Sequence, residues 1–384
     1  MRLLVKNLLL LAMLAGVAML LARGFPRIEQ GTDFPEFYAA AHMVREGVGR
    51  QLYNAAAQRE FQARYTGRVG TYFNHPPFEL LVYLPLARWP IERAYLLWSL
   101  LNVGLLLVTA RILAPYVLPQ WDWRLPAAGA WLFAPVLLNL IQGQDSVLLL
   151  LLLTLTFAAL KRERPLLAGA LLACGLFKFH LVLPIAAVAL FAKRWRLLAG
   201  FAAVGILLAL VSAAISGWGW FVAYAQFLVE MSGLPLAGIH PKEMANLRGL
   251  IALLFPASAW TPLTAASSLL ILGCAIWNSN RAGTDLSFAN AVMAATLVSY
   301  HLSPHDLSLL LLPMALLWRQ SSTASLPEWL RWVQQITLIS LFLPPLHVFL
   351  LVGHVYGYVG VLTLIMFLAS VTGAYLSTRQ QPEA

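Results

Sequence analysis

The chain has 384 residues, 60% of them hydrophobic and 11% charged, with a mean hydropathy of +0.74. A soluble domain carries about 25% charged residues, so this chain lacks the polar sequence to coat a soluble enzyme, and its apolar content suffices for about eleven or twelve spans of about 20 residues. The net charge of +10 fits basic loops facing a cytoplasm and anionic lipid better than a nucleic-acid surface.

Arg2 and Lys6 precede an apolar run to Leu21. No small-residue cleavage site follows, which predicts a retained first helix over residues 3–22. Residues 24–77 then form a first outer loop. Within it, Asp33-Phe34-Pro35-Glu36 opens a helix-like segment with Phe37, Tyr38, Ala41 and Val44 on an apolar side. A second segment, about 54–65, groups Tyr53, Ala57 and Phe61. Both are predicted to lie on the membrane surface. Residues 78–87 are apolar over a length worth only about 15 Å of helix, half the hydrocarbon thickness, and are predicted to re-enter or to lie at the interface. Further apolar runs cover 94–113, 126–141, 146–160, 165–177, 180–192, 196–217, 260–278, 285–301, 306–318, 332–346 and 355–377. A second outer loop, 217–259, begins aromatic at Trp218 and Trp220 and ends polar through His240, Lys242, Asn246 and Arg248. The expected fold is all-α: a polytopic transmembrane helical bundle of about twelve spans, forming one integral membrane domain over residues 1–384.

The run from Leu166 to Ala192 decides the topology. It lies between two basic clusters, Lys161-Arg162-Glu163-Arg164 and Lys193-Arg194-Trp195-Arg196. A single crossing would put one cluster outside and Lys178 near mid-bilayer, against the positive-inside bias. A hairpin keeps both clusters on one side and places Phe177-Lys178-Phe179-His180 at its tip. The same parity puts Arg281 and Arg319 on the cytoplasmic side, with both termini. Gln142-Gly143-Gln144-Asp145 and Ser303-Pro304-His305-Asp306 fall on the outer side. Hairpin arms of about 13–16 residues reach only about 20–24 Å, so their polar tips would line a recess in the outer leaflet, where ionisable groups face a cavity or pathway. Cys174 and Cys274 both lie in apolar runs and form neither a disulfide framework nor a metal motif.

Four segments, in this order, carry a resemblance: Gly31-Thr32-Asp33-Phe34 with Phe37-Tyr38-Ala39-Ala40-Ala41, then Phe73-Asn74-His75-Pro76-Pro77-Phe78, then Gln142-Gly143-Gln144, then Leu176-Phe177-Lys178. Together with the order of loops and helices they resemble glycosyltransferase family 87, of the GT-C class of membrane glycosyltransferases. That family includes polyprenyl-phosphate-mannose-dependent mannosyltransferases. The family often shows Lys-Pro where this chain has Lys178-Phe179-His180, and often an aliphatic residue or Asn where it has Asp145. The resemblance implies an inverting transfer of a sugar, such as the hexose mannose, from a polyprenyl-phosphate donor to a glycan or glycolipid acceptor. It would take place on the outer face of the bacterial inner membrane, in building the cell envelope.

Such a reaction needs one carboxylate to accept the acceptor's proton and cationic groups to hold the leaving phosphate in a water-poor site. Asp33 is the expected base, with Glu36 as fallback; equally, Asp33-x-x-Glu36 is a capping box, and Asp33 could simply cap the helix. Lys178, Arg248, His305 and His180 are the expected phosphate ligands. Against that, Lys178 and Arg248 could anchor to headgroups and His180 could close the hairpin. Tyr38, His75, Gln142, Gln144, Asp145, His301 and Asp306 are candidates for sugar or acceptor contact. His75 in its Pro-Pro turn, the two glutamines at a hairpin end, and His305 with Asp306 at a helix start all have structural alternatives. Asp145, His301, His305 and Asp306 show no metal-ligand spacing, and no Asp-x-Asp occurs, so no cofactor is expected. A transporter or flippase for a lipid-linked glycan is the rival function. It would show inverted repeats and charges at mid-bilayer, whereas the charges here gather on one face.

Overall fold

A computed structural model describes residues 32–117, 122–231, 240–322 and 326–379, together with Asn7. The rest of the expected first helix, and Gly31, lie outside the described residues. Every regular element described is helical: α1 (Phe34–Arg45), α2 (Ala55–Thr66), α3 (Leu80–Tyr83), α4 (Ile91–Val117), α5 (Arg124–Ala130), α6 (Ala134–Gln142), α7 (Ser146–Lys161), α8 (Pro165–Cys174), α9 (Phe179–Phe191), α10 (Trp195–Ser216), α11 (Trp220–Met231), α12 (Leu247–Leu254), α13 (Ala257–Ser279), α14 (Thr284–Val298), α15 (Leu311–Ser322), α16 (Glu328–Leu341), α17 (Pro344–Val352) and α18 (Val359–Arg379). The chain divides into two compact units. The first comprises Met1–Leu105, Asn139–Asp145 and Ala203–Ile239; the second comprises Leu106–Leu138, Ser146–Ala202 and His240–Ala384.

Among the described residues, five helical runs are long and apolar enough to cross a membrane by length and composition alone: Ile91–Val117, Pro165–Phe191, Trp195–Ser216, Ala257–Ser279 and Tyr356–Leu376, of which Pro165–Phe191 is two helices joined by a turn at Gly175–Lys178. Two bent pairs, α5 with α6 (69°) and α16 with α17 (62°), would raise the number to seven if each pair counted as one broken span. The described residues therefore make a membrane protein with fewer full-length spans than the twelve expected. Several apolar runs became short helices instead, among them α7 and α14. The run 306–318 begins in a 3-10 turn, Pro304–Leu310. Residues 78–87 form only short turns around the four-residue α3.

In the first unit, α1 departs from expectation. It was to lie on a surface with one apolar side, yet Phe34 through Met43 are all buried, Glu36 and His42 among them. It packs against α2 and α3, and Phe37 stacks on Tyr83 at 4.8 Å while Phe34 meets Tyr95 edge-on at 5.4 Å. Helix α2 starts where Asn54 caps it, accepting from the Ala56 and Ala57 N–H groups. Two buried glutamines of α2 then hold a stretch of irregular backbone. The Gln58 side chain donates to the Leu52 and Phe73 carbonyls and accepts from the Phe73 N–H. The Gln62 side chain donates to the Thr71 carbonyl and accepts from the Gly70 N–H. These amides satisfy backbone groups that a helix or sheet would otherwise pair. Tyr224 donates to the Asn74 carbonyl and Tyr53 to the His75 carbonyl, so the segment leading to His75 is fixed by side chains.

In the second unit, α8 and α9 form the expected hairpin. The 3-10 turn Gly175–Lys178 joins them, and Lys178 leaves the helical backbone region (φ −107°, ψ 60°). A straight rod over 165–191 would be about 40 Å long and would carry the two basic clusters to opposite ends. Instead both clusters reach one turn: Lys161 pairs with Asp285 at 2.6 Å and Arg194 donates to the Ser279 carbonyl at 3.0 Å. Arg319 also approaches Asp285, at 3.7 Å. Near the same end α8 and α10 cross in close contact. A Cβ on Gly169 would lie 1.8 Å from the Leu197 carbonyl oxygen, and one on Gly200 would lie 2.0 Å from the Leu166 carbonyl oxygen. Only glycine allows that approach.

The hairpin can be checked by labelling. Single cysteines at the exposed positions Glu163 and Lys193 are expected to react with a membrane-impermeant thiol reagent from the same side of a sealed vesicle. A straight helix would give opposite sides.

Candidate active site

The first unit gathers acidic side chains around the end of α6. That helix terminates at Gly143 (φ +69°), with Gly143 N–H donating to the Leu140 carbonyl and Gln144 N–H to the Asn139 carbonyl. This is the paired-bond helix ending that favours glycine in the left-handed region. It turns the chain so that Gln144 Nε2 donates to Asp33 Oδ2 at 2.7 Å. The Asp33 backbone N–H donates to the Gln142 carbonyl at 3.0 Å, so Asp33 is held through both its main chain and its carboxylate. No side-chain capping bond forms at the start of α1, where Asp33 has helical backbone angles. The capping-box reading of Asp33-x-x-Glu36 is thus not what the structure displays: a glutamine distant in sequence takes the carboxylate instead.

Beside this, Glu79 Oε2 lies 2.7 Å and Asp145 Oδ2 3.8 Å from His75 Nδ1, with both carboxylates almost fully buried. The His75 ring packs edge-on to Phe37 at 5.1 Å and stacks on Phe73 at 5.8 Å. Glu36 is buried nearby in α1; its charge, with those of Asp145 and Glu79, acts on the Tyr83 hydroxyl. Tyr38 has a structural role: its hydroxyl donates to the Trp89 carbonyl at 2.8 Å. Burial, aided by the Glu92 charge, pushes its pKa up.

The second unit holds a separate polar cluster at the hairpin tip. Lys178 is 2% exposed. Its ammonium donates to Asp306 Oδ1 at 2.6 Å and to Ser146 Oγ at 3.0 Å, and Ser146 Oγ donates to the same Asp306 oxygen at 2.8 Å. The other Asp306 oxygen accepts from the Ser303 N–H at 2.9 Å, completing a capping box with Ser303. His305 Nε2 is 3.6 Å from Asp306. Asn246 caps α12 through the Gly249 N–H and donates to the Ser299 carbonyl at 2.7 Å, while Arg248 donates to the Tyr300 carbonyl at 2.8 Å. These two bonds pin the loop that bears His301, whose Nε2 is 3.2 Å from Ser303 Oγ. The His180 ring lies 6.2 Å from that of His301 and 5.4 Å from that of Tyr300.

Of the residues picked from sequence, Asp33, Glu36, His75, Gln142, Gln144 and Asp145 belong to the first unit. Lys178, His180, Arg248, His301, His305 and Asp306 belong to the second. The sequence reading missed Glu79, Tyr83 and Ser146. Glu79 had one usable signal, its i+4 spacing from His75, which places two side chains on one helical face. Ser146 follows Gln142-Gly143-Gln144-Asp145 directly and had none.

The sequence model of glycosyltransferase family 87 matches residues 73–304, more than half of the chain. The protein belongs to glycosyltransferase family 87. The matched region starts at the Phe73-Asn74-His75 segment and covers Glu79, Asp145, Lys178, Arg248 and His301. Asp33 lies before it, and His305 and Asp306 lie just after. No curated protein and no solved structure matches the chain. Family membership makes the chain a membrane glycosyltransferase, and both polar clusters are candidates for its site.

Two substitutions test how this glycosyltransferase holds its clusters. Gly143→Ala places a Cβ 2.6 Å from that of Phe34 at a left-handed backbone position. It is expected to cost about 1–3 kcal/mol and to lower both the melting temperature in detergent and the transfer rate. Asp306→Asn leaves Lys178 buried without its counter-charge and is expected to cost about 3–5 kcal/mol. The double variant Lys178→Met, Asp306→Leu should recover most of the thermal stability.

Proposed function

We propose that this family 87 glycosyltransferase moves a hexose, such as mannose, from a polyprenyl-phosphate donor to a hydroxyl of a glycan or glycolipid acceptor. The transfer inverts the anomeric centre and takes place on the outer face of the bacterial inner membrane, with both termini in the cytoplasm. The acceptor oxygen attacks the anomeric carbon as the bond to the phosphate oxygen breaks. Asp33 takes the acceptor proton, and the polyprenyl phosphate leaves with the electron pair. No step of this reading passes through a metal.

The observation that carries the proposal is the bond from Gln144 to Asp33. A neutral amide orients the carboxylate without neutralising it, which suits a general base. Lys178, Arg248, His305 and His180 are assigned to the donor phosphate. Asp306 and Ser146 hold the Lys178 ammonium in place, so its position is set before a ligand arrives. A buried ion pair is seldom more stabilising than apolar residues of the same volume, and its presence at a hairpin tip favours a functional reason. Also in the second unit, an apolar cavity of about 370 Å³ is lined by Leu113, Val117, Leu150, Leu311, Trp318 and Phe342 among others. Leu150 follows Ser146 by one helical turn, and such a cavity suits an isoprenoid chain. The remaining candidates, Glu36, Tyr38, His75, Gln142, Gln144, Asp145, His301 and Asp306, are assigned to the sugar or acceptor.

With purified protein, a polyprenyl-phosphate hexose and an acceptor, Asp33→Asn is expected to cut transfer by at least about 100-fold while donor affinity stays within about twofold. Normal turnover in that variant would remove Asp33 from the mechanism. Transfer in detergent, with no membrane gradient, separates this function from a transporter.

A further inference from the structure

The first unit brings together three side chains that are scattered in the sequence: His75, Glu79 and Asp145. One ligand atom from each lies within 4.8 Å of the others. A divalent cation with bonds of about 2.0–2.2 Å to nitrogen and oxygen draws its ligand atoms to within about 3–4.4 Å of one another, so these atoms need move only slightly to share one ion. Both carboxylates are about 1% exposed and approach the same imidazole nitrogen.

Tyr83 supplies an independent observation. Its side chain is 1% exposed, and its hydroxyl lies in the field of Asp145, Glu79 and Glu36. Yet that hydroxyl has no hydrogen-bond partner among the described residues. A buried donor beside three carboxylates normally bonds to one of them. Left without such a bond, the hydroxyl is an unsatisfied buried polar group beside the His75, Glu79 and Asp145 cluster. The ligands are also held rigidly. His75 sits on backbone fixed by Gln58, Tyr53 and Tyr224, Glu79 ends the 3-10 turn Pro77–Glu79 that follows, and Asp145 follows the helix ending at Gly143. Phe37 and Phe73 pack against the imidazole.

We infer that His75, Glu79 and Asp145 form a binding site for one divalent transition-metal cation of the Mn²⁺ or Zn²⁺ type. One imidazole with two carboxylates is a mixed donor set that suits such borderline ions better than Mg²⁺ or Ca²⁺, which favour all-oxygen shells. The sequence expectation of no cofactor rested on spacing along the chain, and this site is assembled from residues up to 70 positions apart (His75 to Asp145). The inference does not depend on Asp33 being the base.

The test uses full-length protein in detergent, stripped with a chelator and titrated with Mn²⁺ alone. Loss of the free-ion electron paramagnetic resonance signal is expected to report about one Mn²⁺ per chain, with a nitrogen coupling from one imidazole and a raised melting temperature. Zn²⁺ should displace it. Glu79→Gln and Asp145→Asn should each weaken uptake at least about tenfold, and His75→Asn should remove the nitrogen coupling. Should a variant fail to fold, the wild-type stoichiometry and coupling still decide. Uptake below about 0.1 equivalent of either ion at concentrations where such carboxylate–imidazole sites fill, or uptake unchanged in Glu79→Gln and Asp145→Asn, would overturn the site. In the first case a proton on His75 holds the cluster together.

Discussion

Lys178 and Asp306 meet 128 residues apart in sequence, with their charged atoms 2.6 Å from each other and both side chains closed off from solvent. Removing either charge from water alone would cost several kcal/mol, and only a close, hydrogen-bonded partner repays that cost. The pair therefore dictates where three pieces of backbone stand in the second unit: the first turn of α7 through Ser146, the tip of the α8–α9 hairpin, and the 3-10 turn that opens at Pro304. Because Asp306 also completes the capping box with Ser303, a shift of its carboxylate would disturb the local helix start as well. The loop at 299–301, secured by Asn246 and Arg248, extends the same arrangement to His301.

The first unit solves a different problem. Residues 70–78 carry few repetitive backbone bonds of their own, so their carbonyl and N–H groups need partners elsewhere. Gln58, Gln62, Tyr53, Tyr224 and Ser212 supply them. Each bond is worth roughly 1 kcal/mol net, but leaving a buried group unsatisfied costs more. The irregular backbone that carries His75 is thus held by side chains from elsewhere in the unit.

How much of this was legible depended on how local the determinant was. The α8–α9 hairpin could be read because its cause, two basic clusters flanking an apolar run, lies within about forty residues. Helix α2 was readable from Asn54 and its apolar spacing. Between the two readings of Asp33 the local pattern could not choose: Asp33-x-x-Glu36 is a genuine capping sequence, but the carboxylate accepts from Gln144, 111 residues away. The burial of α1 from Phe34 to Met43 was hidden because only one apolar side shows in its spacing, and nothing local announces the aromatic side chains of Tyr83 and Tyr95 that pack against its start. Glu79 was passed over inside an apolar stretch. Ser146 and Asp306 lie 160 residues apart, a separation at which no spacing rule operates.

The order in which the chain is synthesised gives the hairpin a history. Lys178 is made long before Asp306, and at roughly 5–20 residues per second the lysine exists for on the order of ten seconds without its partner. During that interval Ser146, already made, offers a hydrogen bond but no charge. A bare ammonium at the tip of two short apolar arms is costly within hydrocarbon, so the hairpin tip would settle into its final depth only after residue 306 emerges. Insertion of the α8–α9 segment would then be completed late and from a distance, by a residue beyond the five helices described between them.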